Sequence, residues 1–146
     1  NREYTPRIRF ERLKREFPIG IYGSFYLERK NDLIRLRDAV RQYGYHNACI
    51  SEDLDDRPQE ARDPPDPIYD RHLSVQLIDR SVAHVFVLAM PGDSEPANLI
   101  QSVSMELERL TALMDHRIKD HQDVMLLVHN GLWTASQGAP ETCAKD

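Results

Sequence analysis

The chain has 146 residues, of which 40% are hydrophobic and 29% charged, with 24 acidic against 19 basic side chains and a formal net charge of −5. That length fits one domain with a single continuous core, and the acidic balance excludes non-specific binding to a nucleic-acid polymer, which needs a basic surface. The longest apolar run, VFVLAM at 85–90, is far below the roughly 20 residues of a spanning helix, and the opening NREYTPRIRF lacks the apolar core of a signal peptide, so the expectation is a cytoplasmic protein without membrane contact.

RIRFERLKREFP places Phe10, Leu13 and Phe17 at i, i+3 and i+7, which predicts a short amphipathic helix stopped near Pro18 and packed on the outside of the domain. PIGIYGSFY then reads as a buried strand running into a tight turn at Gly23-Ser24. NDLIRLRDAVRQYG puts Leu33, Leu36, Val40 and Tyr43 on one helical face, with Asn31 or Asp32 as N-cap and Gly44 where a left-handed cap belongs. YHNACI follows as a second short strand. Residues 51–67, SEDLDDRPQEARDPPDP, are acidic and proline-rich and predict a surface loop.

IYDRHLSVQLIDRS carries Tyr69, Leu73 and Leu77 at i, i+4 and i+8, a third helix, and leads into VAHVFVLAM, the strongest strand signal in the chain. After turn chemistry in PGDSEPAN come a long helix, LIQSVSMELERLTALMDH, and a fourth buried strand, VMLLVHNG. Nearly unbroken apolar strands alternating with helices predict a parallel sheet covered on both faces, with right-handed crossovers. The reading is one α/β domain over 1–146: a three-layer, doubly wound sheet of four or five parallel strands, with an N-terminal helical extension (1–17) and a C-terminal tail (132–146). Cys49 and Cys143 form no CxxC or metal motif and read as reduced thiols.

In open parallel sheets ligands bind beyond the carboxyl ends of the strands, where the chain order reverses. The segments after the first three strands therefore converge there. On the long helix Leu99, Val103, Leu107, Leu110 and Met114 share one side, Glu108 points nearly opposite, and Glu106 falls at the margin with Ser102 one turn earlier on the same flank. A carboxylate half-shielded by apolar neighbours serves as nucleophile, as general base or as stabiliser of developing positive charge; otherwise Glu106 is a surface residue near the helix's positive end.

These residues carry a resemblance. The arrangement is similar to that of the nucleoside 2-deoxyribosyltransferase-like group, and more distantly to the TIR domains that cleave nicotinamide adenine dinucleotide (NAD), over roughly residues 18 to 130. Tyr22, Gly23, Ser24 and Phe25 approach the group's Tyr-Leu-Ala/Gly-Pro/Ser-Phe pattern, and Glu106 matches the Glu that closes its Asp-x-Gly-Thr-x-x-Glu helix opening, with Ser102 and Val103 in the Gly-Thr places. Ser102 and Glu106 also suit the TIR spacing of a Ser or Cys one turn before the catalytic Glu. The resemblance implies a flavodoxin-like fold, attack at or stabilisation of a sugar's anomeric carbon by Glu106 with Ser102 assisting, a nucleoside, nucleotide or NAD-like substrate, no cofactor, and a homo-oligomer. Ile100 stands where the motif has its leading Asp and His84 where an Asp precedes the third strand; Asn98 and Gln101 offer hydrogen bonds nearby.

Tyr22 and Phe25 either stack a base or pack in the core. Asp53 or Asp55 is a candidate for ribose hydroxyls, and Asp79 for the crevice. The EDLDD run lacks the glycine and closing Glu of a calcium loop, and the six histidines are scattered, so no metal site is expected. The chain has neither a P-loop nor a GxGxxG. Beside the N-glycosidic enzyme stand two alternatives: a non-catalytic nucleotide sensor using the same crevice, and a TIR-like interaction module.

Overall fold

A computed structural model describes residues 6–23, 28–88 and 99–128, with side chains described over 7–23, 30–88 and 103–128. Its elements in chain order are α1 (Pro6–Glu16), β1 (Ile19–Tyr22), α2 (Glu28–Gln42), β2 (Ala48–Cys49), α3 (Pro67–Arg80), β3 (Ala83–Leu88), α4 (Leu99–Asp115) and β4 (Asp123–Val128). The strands pair in parallel in the order β2-β1-β3-β4, the flavodoxin-like arrangement with four strands.

Period-2 alternation along β1 explains the three layers. Ile19 and Ile21 face α2, where they join Leu33, Ala48 and Ile50; Tyr22 faces α3 and α4, where it joins Leu77, Ile78, Phe86, Val103 and Leu110. All four residues of β1 are buried, as a central strand covered on both faces requires. α3 starts where Asp66 accepts hydrogen bonds from the backbone N–H groups of Ile68 and Tyr69, at 3.1 and 3.2 Å, with Pro67 as the first helical residue; such a cap contributes about 1 kcal/mol.

Three sequence expectations need correction. α2 begins at Glu28, so Asn31 and Asp32 lie inside the helix and are not its cap; Gly44 does take the left-handed conformation past its end, at φ 100°. β2 is short, as expected: two residues, because Tyr45–Asn47 are spent on the turn out of α2. The 51–67 segment is not a bare loop but contains two 3₁₀ turns, Ser51–Leu54 and Gln59–Arg62, held down by arginines. β4 was expected to be buried, yet Val124, Met125, Leu126 and Leu127 are 39–58% exposed: it is the edge strand, and no helix among the described residues covers it on the α2 side. Met125 and Leu127 face that side, in register with Val85 and Val87, whereas Val124 and Leu126, in register with His84 and Phe86, face the α4 side and are half-exposed as well.

α1 lies outside the sheet as expected, joined to it by Phe17. The C-terminal tail, Cys143 included, lies outside the described residues. No helix among the described residues is long and apolar enough to cross a membrane.

Candidate active site

The chain runs from β1 to β2 on one side and returns to β3 on the other, so the order reverses between β1 and β3 and opens a crevice at their carboxyl ends. A cleft of about 1090 Å³ runs along the groove between α3 and α4, from Gly23 just past β1 and Ser51 just past β2, at the carboxyl ends of the strands, to His116 and Ile118 beyond the far end of α4. Gly23 belongs there for steric reasons, since a Cβ would stand 2.7 Å from Leu33 Cδ2. Lys30 of α2 reaches Glu52 across the rim at 2.7 Å.

α4 supplies the central group. The helix buries Val103 and Leu110 against the sheet, and Glu106, three residues past one and four before the other, is drawn to the edge of the same stripe. It lines the cleft with Ser74 of α3 opposite, and Leu73, Ile78, Met105 and Leu113 give the surroundings an apolar character. Glu106 Oε2 is buried with no hydrogen-bond partner among the described residues. Burial pushes its pKa up to about 7, against the weaker opposing pull of the Ser74 hydroxyl. At neutral pH the group is therefore present in both protonation states, the condition for general acid or base work.

The other acidic candidates are engaged in structure. Asp55 also lines the cleft, but Arg57 grips it through Nη2 at 2.9 Å, Nε at 3.1 Å and its backbone N–H at 3.0 Å, and Arg62 Nε stands 3.6 Å away. Arg57 itself lies over the Tyr69 ring at 3.6 Å. Hydrogen bonding from Arg57 holds the Asp55 carboxyl down at about 2. Asp53 accepts from Arg37 at 2.6 Å, from Arg41 at 3.4 Å and from the Ile50 backbone at 2.9 Å, clamping the turn after β2 onto α2. Asp79 pairs with Arg109 at 3.3 Å. Neither Asp53 nor Asp79 is among the residues that line the cleft.

Tyr22 is seated in the core, 2% exposed and stacked on Phe86 at a centroid distance of 4.6 Å. Its hydroxyl lies 2.9 Å from His84 Nδ1, and His84 Nε2 lies 2.7 Å from Gln122 Oε1. Gln122 uses its amide N–H on the Asp120 carbonyl, so its oxygen accepts from His84 Nε2 and leaves Nδ1 to accept from the tyrosine. Burial lowers the pKa of His84 and raises that of Tyr22, which keeps both neutral. His84, at the position where the resembled family has an acid, thus points into the core. Ser24, Phe25, Asn98 and the side chains of Ile100, Gln101 and Ser102 lie outside the described residues.

Sequence reading missed Ser74. Its signal was available, for it follows buried Leu73 and precedes Leu77 by three residues, which puts a small hydroxyl on the flank of the packed face of α3. What periodicity could not supply was the pairing of that flank with α4. Comparison with protein-family models, with curated proteins and with solved structures found no match.

Proposed function

We propose that this protein acts at the N-glycosidic bond of a nucleoside, nucleotide or NAD, as hydrolase or transferase, with Glu106 as the catalytic carboxylate and Ser102 assisting. One observation carries the reading: a carboxyl oxygen without a partner among the described residues, in an apolar setting, midway along a cleft between α3 and α4 that extends to the carboxyl ends of the strands. Breaking the bond sends its electron pair to the base and leaves positive charge on the sugar. A carboxylate beneath that carbon stabilises the transition state more than the ground state. In hydrolysis, water adds to the anomeric carbon and gives its proton to Glu106, whose affinity for protons near neutrality suits that task; in transfer, a second base takes the place of water.

The sensor reading draws on a different observation. The position of the family's acid is occupied by His84, turned into the core, and Asp55, the carboxylate across the cleft, is bound to Arg57. The two readings part on one experiment: incubation with NAD and a panel of nucleosides and nucleotides, with chromatography for freed base and melting temperature for binding. The enzyme frees base and its Glu106→Gln variant binds without freeing it. A sensor shifts its melting temperature and frees none. Folded protein that does neither overturns both.

A further inference from the structure

On the α2 side, the described residues cover the sheet over β1 and leave it bare over β4. Val85 and Val87 of β3 pack on the α2 cluster; their register partners on β4 are Met125 and Leu127, 58% and 39% exposed. Strands of a parallel sheet are apolar on both faces because helices cover both, so this strip has the composition of a helix-bearing face. A second apolar surface stands open on α1, where Phe10 and Leu13 are 59% and 55% exposed. They continue the line of Phe17, which packs on the same α2-side cluster. Within its own chain α1 is tied to the opposite edge of the sheet: Asn47 Nδ2 donates to the Glu16 carbonyl at 3.1 Å, and Lys14 lies over the Tyr45 ring at 5.0 Å.

We propose that α1 of a second copy of this chain docks on the α2-side face of β3 and β4, and that the exchange is reciprocal about a twofold axis. The shapes agree, an eleven-residue helix of about 16 Å against six-residue strands of about 20 Å. The charges agree as well. α1 bears Arg7, Arg9, Arg12, Lys14 and Arg15 against Glu11 and Glu16, whereas the whole chain is at −5 and exposed Asp120 and Asp123 flank the start of β4. One helix on one sheet falls short of the roughly 1,200 Å² of a specific interface; two such contacts related by symmetry double the area and close the assembly.

Sedimentation of the protein across roughly 1 to 200 µM tests this, with Leu13→Glu and Met125→Glu as variants and circular dichroism as the check on folding. The expected result is a dimer that each substitution weakens at least about tenfold. Leu13→Glu alters an exposed helix, so it reads the interface even if Met125→Glu fails to fold. In a Cys143→Ser background, the pair Phe10→Cys and Leu127→Cys should form a disulfide between two chains. A monomer throughout the range, a dimer indifferent to Leu13→Glu, or a disulfide closing within one chain overturns the proposal.

Discussion

Asp55 and Glu106 line the same cleft with the same functional group, yet one holds its proton at about 2 and the other at about 7. The difference lies in what surrounds each. Asp55 meets the fork of Arg57 and the nearby Arg62 and is spent on fixing an otherwise loose segment. Glu106 meets apolar side chains and one hydroxyl, so ionising it is opposed by burial and offset by little. A carboxylate that is satisfied builds structure; one that is left wanting a partner costs the fold stability, and that cost is what makes Glu106 the candidate for the proposed chemistry.

The largest expected effect is on chemistry. Glu106→Gln should lower base release by about a hundredfold or more, measured by chromatography under saturating substrate. The same variant should be more stable than the parent at pH 8, by on the order of 3 kcal/mol, because the folded protein no longer ionises a buried acid whose proton affinity is raised. The sign follows from the raised value: the penalty is absent below about 4.5, grows as pH rises towards 7 and is complete above it. Denaturant melts at pH 4 and pH 8 check it, and equal stability changes at both would break the contrast with Asp55.

Next comes the satisfied polar chain in the same layer of the core, under α3 and α4. Tyr22→Phe leaves His84 Nδ1 buried without its donor and should cost about 1–3 kcal/mol in the same melts. His84, with its pKa lowered, contributes stability that is present above its ordinary value of 6.5 and declines as pH falls through the lowered one, so acid and base press on the fold from opposite sides through His84 and Glu106. Asp55→Asn should lower the melting temperature by about 5 °C and loosen the 51–67 segment to proteolysis while leaving the pH profile of base release in place. The smallest effect belongs to Ser74→Ala, which should move the Glu106 titration upward, with Ser74→Thr restoring it.

Much of the architecture was legible because apolar periodicity is a local property. Val103 and Leu110 announced the buried side of α4 and placed Glu106 at its margin; Gly44 announced the end of α2. What was not legible depended on partners far away in sequence. Asp53 and Asp55 read as a solvated acidic run until Arg37, Arg41, Arg57 and Arg62 converged on them. Tyr22 gave no local sign that its hydroxyl would meet His84, 62 residues on. β4 carried the text of a buried strand, but burial depends on what lies over it.

Carbon-13 NMR titration of the Glu106 side-chain carboxyl, assigned by its loss in Glu106→Gln, tests the central claim most directly. The account predicts a midpoint near 7, raised by apolar surroundings in the cleft. A midpoint at the ordinary carboxylate value of 4.5 would mean that water reaches the group freely, and the case for its catalytic role would go with it.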